Sequence, residues 1–567
     1  MSWTYEAPLD HMRFVLEHVL DAPTHWKACE AFADLDLDTA DAVLQEAARF
    51  ASEVLQPLNA VGDVEGCVRD AEGRVRTPKG FPEAYQAFVA GGWPALPCTP
   101  DWGGQGLPLL LDAALREMLD ACNHGWNMYP DLLHGAYETI KAHGSEALKA
   151  RYLPKIVSGE WLAAMALTEP QAGSDLGQLR TRAEPQADGS LRISGNKIFI
   201  SGGEHDLTDN IVHLVLCRLP DAPAGTKGLS LALVPKVLPD GSRNALFCDG
   251  VEKKMGIKAS ATCAMRYEGA TGWLIGEPHR GLAAMFLMMN SARLHVGLQG
   301  LGHQEMAAQN ARRYAAERVQ MGRTIAEHPA VRLLLDRLEV MAQSQRVLAY
   351  RAALALDLAE HHGDGAVRER EKRFAALLTP IVKAFCTHQG FHGPAAALGV
   401  WGGYGYVHEY GIEQTVRDAR IAMIYEGTNE IQAIDLAQRK LLADGGATAF
   451  ELLDALRAEL ATGDPLRDFV DASRAQLRDW LDRARQDNSL LLESADDLLH
   501  GMAHTLLAWA VGRMASAAHR LPEAAAARQQ ALTGAFVRHA VPLGRLHWER
   551  ALAAAAPPRA SSGHRGR

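Results

Sequence analysis

The chain has 567 residues, more than one hydrophobic core organises, so about two to four domains are expected. Hydrophobic residues make up 48% and charged residues 22%, the balance of a soluble globular protein, and a net charge of −10 argues against a general nucleic-acid binder. Eight cysteines, scattered from Cys29 to Cys386, form no CxxC, which favours reduced thiols in a cytoplasmic protein over a disulfide or zinc framework.

Residues 1–35 read as an N-terminal extension. The opening MSWTYEAPLDHMRFVLEHVLDA is acidic and lacks a long apolar stretch, unlike a signal peptide. From 36 to 161 apolar residues recur every three or four positions, as in DAVLQEAARFASEVLQPL, so a helical domain is expected. WGGQGLP (102–108) interrupts it as a glycine-rich turn. Between 162 and 277 the texture becomes β: LRISGNKIFIS, NIVHLVLCRL and GLSLALVP are short, apolar and β-branched. ADGS (187–190) fits a tight hairpin turn. Helical periodicity returns from 278 to 445, and a further helical segment spans 446–555. Its stripe Leu499, Met502, Leu506 and Trp509 has helical spacing and is expected to pack in a core rather than on a membrane. The tail 556–567 is small, polar and expected to be disordered. No run approaches the ~18 apolar residues of a transmembrane helix.

The usual nucleotide, metalloprotease and hydrolase motifs, GxGxxG, GxxxxGK[ST], HExxH and GxSxG, are absent. Two HxxxH pairs, His388/His392 and His500/His504, place their rings on one helix face each. With 23 histidines in the chain such pairs arise by chance, and no metal site is expected. MALTEPQAGSDLGQLRTRAE (165–184) clusters hydroxyls and carboxylates around Pro170 and Gly173. It suits a loop offering donors to a polar ligand, although a capped turn explains it as well. KIFISGG (197–203) ends a strand with Phe199 and Ser201 on one face, an aromatic and a hydroxyl suited to a flat ring or to an ordinary hairpin. MIYEGTNEIQ (423–432) puts Glu426 between an apolar run and a helix start. Taken alone it fits a helix-start acid slightly better than a catalytic one.

In combination, ALTEPQAGSDL, GNKIFIS, KMGIKASATC (254–263) and YEGTNEIQ, in that order, resemble the acyl-CoA dehydrogenase family over residues 40–445. The segment after 446 is similar to the longer branch that includes 3-methylmercaptopropionyl-CoA and broad-range fatty acyl-CoA dehydrogenases. The resemblance implies a multidomain α+β fold: an N-terminal helical domain, a middle β-barrel-like domain, a C-terminal four-helix bundle and an additional helical segment. FAD is the implied cofactor. Its ring contacts fall on Leu167, Thr168, Phe199 and Ser201, its pyrophosphate arginine on Arg318, and further contacts on Gly402, Gly403 and Thr428. The glutamine expected before the paired glycines is Gly399, and Met321 replaces an aromatic. Ser174, Arg293 and Gly427 fall on acyl-CoA positions.

Glu426 matches the family's base, which removes the α-proton of an acyl-CoA while a β-hydride leaves to flavin N5, giving a 2,3-enoyl-CoA. The alternative location of that base in some relatives is Ala292 here, which accepts no proton. The implied partners are an acyl-CoA substrate, an electron-transfer flavoprotein as acceptor and a second copy, in a homodimer or homotetramer. An acyl-CoA oxidase or a DNA-associated flavoprotein of the same fold are the alternatives. The tail arginines Arg559, Arg565 and Arg567 are too few for a strong phosphate-binding surface.

Overall fold

Asp36 accepts a hydrogen bond from the Thr39 N–H at 2.8 Å and starts the helix Leu37–Arg49, whose apolar positions Ala40, Leu44 and Ala47 face inward. A computed structural model describes residues 3–553, so the 556–567 tail lies outside the described residues. The following helices enclose Leu109–Asn127, which is buried over nearly its whole length. The glycine-rich turn before it has a steric cause: a Cβ on Gly104 would lie 1.9 Å from the Cys98 carbonyl oxygen.

The middle region forms a small closed barrel. Its strands are β1 (Leu162–Ala166), β2 (Arg182–Pro185), β3 (Leu191–Ser201), β4 (Ile211–Arg218), β5 (Leu229–Pro235), β6 (Leu246–Val251) and β7 (Thr262–Ile275). Neighbours run β4–β2–β3–β7–β5, and β5 pairs back onto β4, with Val212 opposite Pro235. β1 flanks β4 in parallel and β6 flanks β7. The hairpin expected at 187–190 joins β2 to β3, with Gly189 at φ +83°. β1 and β5 are buried throughout, whereas β3 begins with inward and outward alternation. β3 then bulges between Lys197 and Ile200.

The helices Gly281–Glu317, Pro329–His361 and Gly365–Trp401 form three continuous members of the C-terminal bundle. The fourth position is broken into Ile412–Ala419, the short turn Arg420–Met423, and Asn429–Asp435. The break carries Glu426. Asp418 ties this broken helix to the barrel, accepting from the Ile257 N–H at 2.5 Å.

Four more helices follow: Ala447–Ala458, Pro465–Ala484, Asn488–Ala517 and Glu523–Ala553. Leu499, Met502, Leu506 and Trp509 are all buried, and so are Leu498, Ala503, Leu507 and Val511 on the other sides of the same helix. The expected stripe is therefore a full apolar circumference. The helix packs on its two neighbours on one side and on Pro329–His361, Gly365–Trp401 and Asn429–Asp435 on the other. Indole N–H groups are satisfied between it and its neighbours: Trp480 donates to Ser494 at 2.8 Å and Trp509 to Glu459 at 3.0 Å. No described helix is long and apolar enough to cross a membrane.

Candidate active site

Glu426 sits at a backbone elbow. Its φ is +55° and that of Gly427 is +86°. For a residue with a side chain this left-handed conformation is costly, roughly 1–3 kcal/mol, and persists only when its surroundings enforce it. Four residues enforce it here. Gln432 Nε2 donates to the Glu426 carbonyl at 3.0 Å, and Lys383 Nζ donates to the Gly427 carbonyl at 2.7 Å. Thr428 Oγ1 caps the Asn429–Asp435 helix, accepting from the Ile431 N–H at 3.4 Å. Tyr425 Oη is hydrogen-bonded to His124 Nε2 at 3.0 Å and donates to Gln299 Oε1. Gln299 in turn donates to buried Asp131 at 3.3 Å. Gly427 suits its place because at φ +86° any other residue would be strained, and a Cβ there would also push Gln432 Nε2 aside.

The Glu426 side chain is only half-buried, yet protein surrounds the carboxyl closely enough to raise its pKa to about 7. Desolvation is the main cause, opposed by Arg293 and Lys383. Arg293 is 8% exposed, and its Nε has no partner among the described residues. Its only side-chain hydrogen bond there is a long one to Asn290, at 3.4 Å. The backbone N–H of Glu426 also has no partner among the described residues. A carboxyl with a raised pKa and a free amide thus stand at the elbow, and the under-satisfied Arg293 guanidinium is near enough to act on that carboxyl.

The segments carrying Leu167, Thr168, Phe199 and Ser201 are joined by a separate network. The Ile198 N–H donates to the Thr168 carbonyl at 2.9 Å. Lys197 Nζ donates to the Leu167 carbonyl at 2.8 Å and to Glu169 at 3.0 Å. Burial alone raises the Glu169 pKa, but Lys197, Thr181 and the Arg180 N–H outweigh it and hold the carboxyl down at about 2. Ile200 is buried while Phe199 and Ser201 are not. The strand is not regular there, however: the bulge holds Phe199 at φ +59° and leaves the ring 58% exposed. An aromatic held outward beside open Thr168 and Ser201 hydroxyls fits a flat heteroaromatic ring.

Arg318, Gly402 and Gly403 form a third group. The Arg318 guanidinium stands 5.7 Å from the Tyr404 ring centroid. Gly402 ends the Gly365–Trp401 helix at φ +60°, and the Cβ direction of both glycines is open. Met321, where an aromatic was expected, is 92% exposed. Among the described residues no hydrogen bond or ion pair joins this corner to the elbow or to the Leu167–Ser201 segments. Ser174 is exposed on the loop after β1.

The two HxxxH pairs, more than a hundred positions apart, meet across the junction between bundle and added helices. The His388 ring lies 4.2 Å from His392 and 4.6 Å from His500, and His500 stacks on His547 at 4.8 Å. The rings pack against one another, and no group of side chains among the described residues is arranged to hold a metal ion.

Sequence reasoning passed over Lys383, Tyr425, His124 and Gln299. The one signal for Lys383 was a cation inside the apolar run PIVKAF (380–385). His124 reaches the elbow from the N-terminal helical region and Gln299 from the helix Gly281–Glu317, and neither had one.

Glu426, a half-open carboxyl with its pKa raised to about 7, is the candidate base of this site. Comparison with known proteins assigns the class. The chain matches the acyl-CoA dehydrogenase N-terminal, middle and C-terminal domains over residues 38–160, 164–270 and 279–441. It is 44% identical over 477 residues to the 3-methylmercaptopropionyl-CoA dehydrogenase of Ruegeria pomeroyi, covering 81% of each chain. It is 34% identical over 502 residues to a broad-specificity linear acyl-CoA dehydrogenase of Mycobacterium tuberculosis, covering 84% of this chain and 79% of the other. A Bacillus anthracis acyl-CoA dehydrogenase solved with FAD shares the fold, added helices included: the TM-score is 0.76 at 21% identity, over 94% of this chain and 91% of that one. The chain belongs to the acyl-CoA dehydrogenase family. It is an oxidoreductase.

Proposed function

We propose that this chain is an FAD-dependent acyl-CoA dehydrogenase in which Glu426 takes the α-proton of a fatty acyl-CoA or of 3-methylmercaptopropionyl-CoA. The observation that carries this reading is the half-open carboxylate on an enforced elbow, with its pKa raised to about 7. A base acts best near the pH at which it works. The unpaired Glu426 N–H is a donor for the thioester oxygen as enolate charge develops. Arg293 Nε is free to meet a polar or anionic part of the CoA. Gly427 leaves room for the thioester beside the base. FAD, the family's cofactor, supplies the acceptor for the β-hydride when bound. Leu167, Thr168, Phe199 and Ser201 are its ring platform and Thr428 an adjoining contact. The product is a 2,3-enoyl-CoA, and an electron-transfer flavoprotein is the proposed acceptor of the electrons.

The separation of Arg318, Gly402 and Gly403 from the elbow favours a homodimer or homotetramer in which that corner completes the cofactor site of a second copy. Exposed Met321 and Tyr404 give such a contact an apolar surface. The eight free cysteines agree with a cytoplasmic location. The division at residues 161, 277 and 445 belongs to the same reading.

The test is to mix the purified flavoprotein anaerobically with acyl-CoAs of increasing length and with 3-methylmercaptopropionyl-CoA. Bleaching of the flavin should accompany formation of the matching 2,3-enoyl-CoA. Failure of every acyl-CoA to bleach bound FAD would overturn the reading.

A further inference from the structure

We propose that Lys383 is the positioning residue of the base, holding the elbow through the Gly427 carbonyl and keeping a positive charge beside Glu426. This rests on the reading of Glu426 as the base. Lys383 lies on the Gly365–Trp401 helix at 0% exposure. Burying an ammonium is expensive unless something requires the charge. Its hydrogen bonds do not require it. Nζ donates to the Gly427 carbonyl at 2.7 Å and to Asn429 Oδ1 at 3.0 Å, both neutral acceptors that a neutral donor satisfies equally. Among the described residues no carboxylate lies in salt-bridge contact with it.

What stands around it therefore decides whether it carries a charge. Glu426 and Glu430 attract it and Arg293 repels it. Asp435 and Arg439 act in turn on Arg293, and Asp131, in the N-terminal domain, acts on Glu426. Asn429 is fixed in turn, donating to the Ala384 carbonyl at 3.0 Å and bonded to Thr387. The lysine is thus held rigidly between the helix and the elbow. Burial pushes its pKa down to about 7, offset in part by Glu426. Charged lysine and ionised glutamate then coexist only in a band around neutrality.

Flavin reduction at saturating acyl-CoA, followed against pH, reads this out. Wild-type protein should show a rising limb from Glu426 and a falling limb from Lys383. Lys383→Gln keeps a donor and removes the charge. It should lose the falling limb and move the rising limb up by about one unit, as expected for losing an opposite charge nearby. Below that limb the rate should drop about tenfold, with FAD content and KM close to wild type. Lys383→Met, which also loses the hydrogen bond, should show the same displaced limb and a lower plateau. A lysine that only fills a structural role lowers the rate evenly and leaves both limbs in place, and that result overturns the proposal. Both variants emerging colourless and aggregated would also overturn it, by assigning the lysine to the fold. Glu426→Gln run in parallel separates the two claims. If it bleaches at the wild-type rate, the base assignment itself fails. If it is slow while the Lys383→Gln limbs stay put, only this inference fails.

Discussion

Two buried glutamate–arginine neighbourhoods of this chain are built to opposite standards. In the helical body, Arg346 Nε meets Glu117 Oε1 at 2.9 Å, and Tyr350 donates to the second Glu117 oxygen at 2.8 Å. Arg346 also meets Glu305 at 2.8 Å and His11 at 2.9 Å. Burial disfavours the charge on Arg346, but Glu117 and Glu305 outweigh it and hold the guanidinium firmly protonated. At the elbow, Arg293 makes one long hydrogen bond and leaves its Nε unpaired, while Glu426 keeps part of its surface open. The first arrangement is what a fold needs from buried charge. The second withholds partners where a substrate is to supply them.

The comparison breaks most visibly if the satisfied cluster is cut. Glu117→Gln leaves Arg346 underpaired, and removing one partner of a buried pair costs about 3–5 kcal/mol. Urea unfolding of the yellow protein should show a midpoint far below wild type; an unchanged midpoint would mean the cluster is not structural. A smaller effect is expected from acid at the histidine junction. Burial pushes His388 down to about 3 and His504 to about 4, so both are neutral when folded. The unfolded chain takes up their protons below an ordinary histidine pKa of about 6.5. Their contribution is therefore intact above pH ~6.5 and lost as the pH falls from there towards 3–4. For buried His504 the slope is at most about 1.4 kcal/mol per pH unit. Urea midpoints should fall between pH 7 and 5, and His504→Asn should flatten that fall. The smallest effect is expected at Arg373, whose ion pair with Glu451 at 2.7 Å is nearly half exposed on both sides. Arg373→Ala should change stability by no more than about 1 kcal/mol, and a larger loss by calorimetry would show that docking of the added helices relies on surface charge.

Local patterns made much of this molecule legible. Helical periodicity marked both helical regions, β-branched runs marked the barrel, and the quoted motifs picked out the Glu426, Thr168 and Phe199 segments. What stayed hidden was tertiary. The left-handed backbone of Glu426 has no sequence signature, because residues with side chains seldom adopt it and contacts from Lys383, Gln432, Thr428 and Tyr425 enforce it here. The β3 bulge was invisible because KIFIS reads as an unbroken strand. The two HxxxH pairs looked like unrelated accidents until packing of the added helices brought them together. The break in the fourth bundle helix was legible in part, because MIYEGTNEIQ marked a helix start just after Glu426.

The central claim is that Glu426 serves chemistry and Glu117 serves the fold. It is tested most directly by measuring two quantities, anaerobic flavin reduction and the urea midpoint, on Glu426→Gln and Glu117→Gln side by side. The account predicts that Glu426→Gln loses ~10³–10⁴-fold in rate while its FAD content and midpoint stay at or above wild type. Glu117→Gln should lose its midpoint, and whatever remains folded and yellow should be reduced at close to the wild-type rate. A Glu426→Gln protein destabilised like Glu117→Gln, yet reduced normally per bound flavin, would contradict the claim.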